Sequence, residues 1–416
     1  IGFPSKFWQP FFIMYKRYEI KGLSDSDFEN KLGQEALPYA GNRTPLINIL
    51  KSLSKPPLSC RTVIFEYDYV DEIYQDEYST FYSKGFKAYP DRCTRLHFFS
   101  CIIPQKTRIN FHQYAHSYIG FMVLRPTELQ RVGRTILTPP ANDPETEFIN
   151  CNATFTSHIL GQAFNVQAMP FIQQDTQVGA CAQASLWMLS CYMGRRFGYR
   201  RYMPSEINQF AKSKMGLGRH YPAENGLSLP QILEALDTMG FSAIPYMRNS
   251  IDHYSTHIEK EFPLPPSNND DAYTRSLHKQ RTIKLADIAY RYIESGLPVI
   301  FGTSDHAMVG IGHKYDSKAS ANVAIQRIPA FFINNDNCGC YREMPISGAC
   351  SEYTFEQVNS IIAVTPSEAT LRGENAEDMA RNSVSQLLKF APDNTKPNQT
   401  YQNILQQMRP DFTNWL

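Results

Sequence analysis

From residue 166 to about 366 the chain sets out its helices first and its strands afterwards, and this order restricts the fold more than any other feature. Cys181 to Met193 places Ala182, Leu186, Leu189 and Met193 at steps of four, three and four, one face of a helix, with Gly194 as the expected stop. Leu227 to Gly240 predicts a second helix, with Ser228 as N-cap, Pro230 in the first turn and Gly240 closing the far end. A third runs from about Leu285 to Ser295 and ends at Gly296. Strands follow at Leu297–Phe301, His306–Ile311 and Ala330–Ile333. Elements segregated in this way predict an α+β fold, a Cys-bearing helix ahead of an antiparallel sheet.

Residues 1 to about 165 read as a separate N-terminal domain of mixed α/β type and unknown role. Its strands are expected at Thr62–Val70, at Tyr118–Leu124 before Arg125-Pro126, and at Arg134–Leu137 before Pro139-Pro140. Nothing in this half resembles a chemical motif. Inside the second domain, 166–366, the stretch from Arg248 to Lys284 is polar and carries Pro263, Pro265 and Pro266. It reads as a surface excursion or lid, mobile more than packed. Residues 367–416 predict an amphipathic helix around 376–388 and a tail. A length of 416 residues fits two or three domains.

Composition narrows the partners. Lys plus Arg number 41 against 40 Asp plus Glu, so no cationic surplus marks a polyanion binder, and nucleic acid is not an expected partner. Arg195-Arg196 and Arg200-Arg201, interleaved with Phe197, Tyr199 and Tyr202, read as a solvated loop. Nine scattered Cys point to free thiols in a reducing compartment. No apolar window reaches 18 residues and the opening residues hold no signal-like run, so no membrane partner and a cytoplasmic location are expected.

The stretch Gln173 to Met188 carries the chemistry. Cys181 takes the first position of the predicted helix, directly after Val178-Gly179-Ala180. Main-chain N–H groups at a helix start favour a thiolate over a thiol. Gln174 or Gln177 is placed to donate its amide, with the Cys181 N–H, to a developing oxyanion. A nucleophilic Cys needs a base, and His306 opens a strand ahead of Ala-Met-Val-Gly. His313 lies seven residues on, where the pleat turns it to the opposite face. The run Asn334-Asn335-Asp336-Asn337 then follows an apolar strand; Asp336 or Asn335 would accept from the far ring nitrogen of His306 and fix its tautomer.

A Cys on a helix, a His some 125 positions later on a strand and an Asn or Asp about 30 beyond resemble the papain-like cysteine protease superfamily, especially its branch of bacteriocin-processing peptidases. The likeness spans about Met169 to Val364. It implies a papain-like fold and a thiol hydrolase that cleaves a peptide or isopeptide bond in a protein or peptide substrate. In it Cys181 attacks, His306 is the base, Asp336 or Asn335 orients it, and Gln174 or Gln177 completes the oxyanion hole. No metal or organic cofactor is needed. The same triad would serve a deamidase or a transglutaminase, and a fold kept without catalysis would be a binding protein. Cys338, Cys340 and Cys350 offer three thiols to zinc without a fourth ligand at suitable spacing, and read as loop thiols.

Overall fold

The computed structural model describes residues 18–23, 30–32, 41–104, 110–141, 143–175, 181–211, 215–216, 219–220, 226–255, 257–267, 270–350 and 352–369, with positions 372 and 379. The expected C-terminal helix around 376–388 lies outside this set, except for Met379. The chain is mixed α/β with antiparallel sheets, and it divides into two compact units. Unit 1 comprises residues 1–142, 152–235 and 334–341; unit 2 comprises 143–151, 236–333 and 342–416.

Unit 1 holds a five-stranded antiparallel sheet in chain order: β1 (Tyr18–Gly22), β2 (Thr62–Tyr69), β3 (Cys93–Phe99), β4 (Tyr118–Leu124) and β5 (Val132–Leu137). β-branched and aromatic side chains make these runs good strand formers. Between Glu66 and Tyr69 the register slips, and Asp68 there takes a φ of 54°, a left-handed conformation that a short polar side chain tolerates. Gly120 in β4 has a φ of 135°, and a Cβ on it would strike the main chain of Ile136 in β5. Two helices flank this part, α1 (Thr44–Ser54) and α2 (Glu72–Thr80). Asp71 caps α2 by accepting from the N–H groups of Ile73 and Tyr74. The core packs Ile64, Phe99, Phe121, Val123 and Ile136 with Phe164 and Val166.

After β6 (Glu147–Phe148), a strand of unit 2, comes the ribbon of β7 (Ala153–Ile159) and β8 (Gln162–Ala168) in unit 1. The domain boundary placed near residue 165 falls inside β8. Two helices follow, α3 (Cys181–Phe197) and α4 (Pro204–Phe210), and then the short pair β9 (Met215–Gly216) and β10 (Arg219–His220). α3 does not stop at Gly194 but runs on to Phe197, and Gly198, at φ 81°, supplies the left-handed residue beyond its end. Gly194 is small for another reason: a Cβ there would press on the carbonyl of Tyr199 as the chain doubles back.

α5 (Leu229–Thr238) leads to unit 2, with β11 (Phe241–Met247), α6 (His257–Glu261), α7 (Asp270–Glu294), β12 (Val299–Gly302), β13 (Ala307–Lys314), β16 (Ser360–Pro366) and the parts of β14 (Ala330–Asn335) and β15 (Gly339–Pro345) outside residues 334–341. They form one sheet in the order β11-β16-β12-β13-β14-β15, with β6 paired to the end of β13. β11–β16, β16–β12 and β12–β13 are antiparallel. A Cβ on Gly312 would collide with Phe148 of β6, and one on Gly310 with the ring of Phe301. These two glycines therefore serve strand packing.

Within the stretch from Arg248 to Lys284 the described residues are largely exposed or half-buried, with a few buried points of attachment. Ile251 and Ile258 are fully buried in the core of unit 2, and α7 begins at Asp270, fifteen residues ahead of the expected Leu285. Two of its polar residues are held internally. Gln280 Nε2 donates to the Phe262 carbonyl at 2.8 Å, and the buried Lys284 donates from Nζ to Glu259 at 2.6 Å and to the Asp252 carbonyl at 3.0 Å. The rest of α7 buries Leu285, Ile288, Ala289, Tyr292 and Ile293 completely, at roughly 1.5–3 kcal/mol for each large apolar side chain.

Candidate active site

Cys181 opens the described part of α3 and is half-buried, whereas every residue from Ala182 to Met193 is buried. The helix is anchored from Ala182 to Met193 and only half-covers its first residue. Burial pushes the thiols of other cysteines upward, Cys60 to about 12 and Cys191 to about 11, so these remain neutral at physiological pH.

The Asn/Asp run forms the tip between β14 and β15 and belongs to unit 1, as does Cys181. Asn334, Asn335 and Asp336 are buried. Asn334 donates from Nδ2 to the Pro170 carbonyl at 2.9 Å and accepts the Tyr341 N–H on Oδ1 at 3.0 Å. Asn335 Oδ1 accepts the Asn337 N–H at 3.0 Å, and its carbonyl accepts from the Cys338 N–H at 2.9 Å. Two side chains of the α1 region pin the tip from outside: Asn42 Nδ2 donates to the Asn337 carbonyl at 2.8 Å, and Asn48 Nδ2 to the Cys338 carbonyl at 2.9 Å. Asn42 and Asn48 carry no signal in the sequence, because their partners lie 295 and 290 positions away.

Gln174 reaches the same tip, with Nε2 3.4 Å from Asn337 Oδ1. Gln177 lies outside the described residues. Beside Gln174 a cavity of about 30 Å³ is lined by Gln173, Asp175, Gln183, Trp187, Asn208 and Glu77 among others, room for one or two waters. Behind it sits a buried charge cluster. Arg125 Nη1 donates to both Glu77 oxygens at 3.0 and 3.1 Å, and its Nη2 to the carbonyls of Gln130 and Gln173. The Tyr82 hydroxyl donates to Asp175. Burial pushes Glu77 up; Arg125 opposes this, but Asp175 shares that guanidinium, and Glu77 ends at about 7.

His306 belongs to unit 2, in the turn between β12 and β13. Its N–H donates to Thr303 Oγ1 at 3.0 Å and its carbonyl accepts the Thr303 N–H at 2.9 Å. The imidazole is buried and stacks on Tyr353, centroids 5.4 Å apart and planes 19° from parallel. His313 has another job: its Nε2 meets Glu294 Oε2 at 2.5 Å, and its ring packs edge-on to Tyr290. It is a structural member of the α7–β13 interface.

Other sequence candidates take their places too. Arg200 and Arg201 are paired with Glu206 and Glu72, and Arg195 donates to the Thr154 carbonyl. No group of three His, Cys, Asp or Glu side chains gathers for a metal among the described residues. No described helix is long and apolar enough to cross a membrane. One polar system went unread in the sequence. In unit 1 Arg95 donates to Glu66, with Nε at 2.7 Å, while His97 bridges Glu66 at 3.3 Å and the Tyr118 hydroxyl at 2.9 Å. Burial lowers His97 to about 4. Burial opposes ionisation of Glu66, yet the His97 hydrogen bond and the Arg95 charge prevail and bring it to about 2.

No family model and no curated protein matches the chain. Among solved structures, the peptidase domain of Streptococcus ComA, a bi-functional ABC transporter involved in a quorum sensing pathway, aligns over 46% of this chain and 99% of that one, at 11% identity and a TM-score of 0.24. A likeness at that score carries no argument about activity.

Proposed function

We propose that the chain is a cysteine hydrolase of peptide or isopeptide bonds, in which Cys181 is the nucleophile, His306 the base and Asp336 the residue that orients it. The observation that carries this reading is the half-buried Cys181 ahead of the buried run Ala182–Met193, in the same unit as Gln174 and the Asn335–Asn337 tip, which are hydrogen-bonded to each other. In this reading the Cys181 thiolate attacks the carbonyl carbon, and the oxyanion that forms is met by the Gln174 amide. The His306 imidazolium gives its proton to the departing amine, leaving a thioester on Cys181. Water then attacks, His306 takes its proton, and the carboxylic acid leaves as the thiolate returns. In this reading the buried Asp336 carboxylate orients the imidazole, while Asn335 Oδ1 accepts the Asn337 N–H.

Site-resolved alkylation with chloroacetamide tests it. An activated Cys181 reacts at pH 6 about ten- to a hundredfold faster than the exposed Cys350, and His306→Ala removes the difference. Equal rates at the two cysteines, unchanged by His306→Ala, would reduce the protein to a binding module.

A further inference from the structure

We infer that Tyr353 is a positioning residue for the candidate base, a ring that holds the His306 imidazole in plane and stabilises its protonated form. This rests on the reading of His306 as the base. The two rings are stacked, 19° from parallel at 5.4 Å, and an electron-rich phenol face attracts an imidazolium more than a neutral imidazole. Tyr353 is itself held from beneath. It packs against the apolar core of unit 2, next to Phe355, whose ring meets Phe301 edge-on at 5.1 Å.

The main chain of His306 is stapled to Thr303 through two hydrogen bonds, which leaves the side-chain torsions as the remaining freedom. The Tyr353 face removes part of that freedom. Along the two segments, Asp305 Oδ1 accepts from the Thr303 hydroxyl at 3.0 Å, and Glu352 accepts from Arg342 at 2.5 Å.

The experiment is the pH profile of Cys181 alkylation in the full chain, for the wild type, Tyr353→Phe and Tyr353→Leu. Tyr353→Phe keeps the ring and leaves the profile in place. Tyr353→Leu destabilises the imidazolium that partners the thiolate. The upper transition of the profile, where the imidazolium loses its proton beside the thiolate, then moves down by about half to one pH unit. Tyr353→Met, which retains the apolar contact with the core, gives the same reading if Tyr353→Leu does not fold. A Tyr353→Leu or Tyr353→Met profile that superimposes on an activated, His306-dependent wild-type profile overturns the inference alone. A wild-type Cys181 that titrates as an ordinary thiol overturns the function on which the inference rests, and the inference with it.

Discussion

A buried amide with both ends in use leaves little room for substitution. Asn334 supplies a donor to Pro170 and an acceptor to Tyr341 within a fully enclosed site. Asn334→Ala strands one main-chain carbonyl and one N–H, and about 2–4 kcal/mol of stability is expected to go with them; guanidinium unfolding measures it. The neighbouring Asp336 is expected to behave differently. Asp336→Ala slows Cys181 alkylation at pH 7 by about tenfold or more if it orients His306. The sequence marked the whole Asn-Asn-Asp-Asn run as chemically interesting, but residue type alone could not separate the member that braces the turn from the one proposed to face the base.

Helices and strands were legible where their pattern was local. The strands at Thr62–Tyr69 and Tyr118–Leu124 and the helix beginning at Cys181 follow from apolar periodicity over a dozen residues or fewer. The N-terminal half of α7 was not, because its buried positions include Gln280, Thr282 and Lys284, which read as solvent-facing until their partners are known. Gly194 shows the same limit, since a glycine inside a helix and one beyond its end look alike in a sequence. α2 allows a direct check of a cap. Asp71 holds two main-chain N–H groups and also pairs with Arg134 at 2.9 Å, so Asp71→Ala is expected to cost about 1–2 kcal/mol or more, read from the thermal midpoint.

Taken as one titrating molecule, the protein has opposing carboxylate and imidazole contributions. His97 is lowered from 6.5 to about 4, so the unfolded chain binds its proton first and stability is lost as pH falls through that window. Glu66, lowered from 4.5 to about 2, extends the loss to stronger acid. Glu77 acts in reverse: raised from 4.5 to about 7, it contributes fully below 4.5 and loses that contribution as pH rises through 7. Each of the two wholly buried groups is worth about 3 kcal/mol across its window. Between 4.5 and 6.5 they largely cancel, so urea midpoints should form a plateau there and fall below it. Glu77→Gln should leave midpoints that climb from pH 4 to 6.5 and then stay level; a variant still flat across that interval would contradict the assignment. By itself the sequence determined the segments whose apolar pattern is local, such as Thr62–Tyr69, Tyr118–Leu124 and the helix from Cys181, and which Cys, His and Asn/Asp residues to examine, because those signals repeat within one or two turns of chain. Tertiary structure alone decided which polar groups are enclosed and by what. The bonds from Asn42 and Asn48 to the tip and the Arg95–Glu66–His97 system join residues tens to hundreds of positions apart, and no local pattern encodes a partner at that distance.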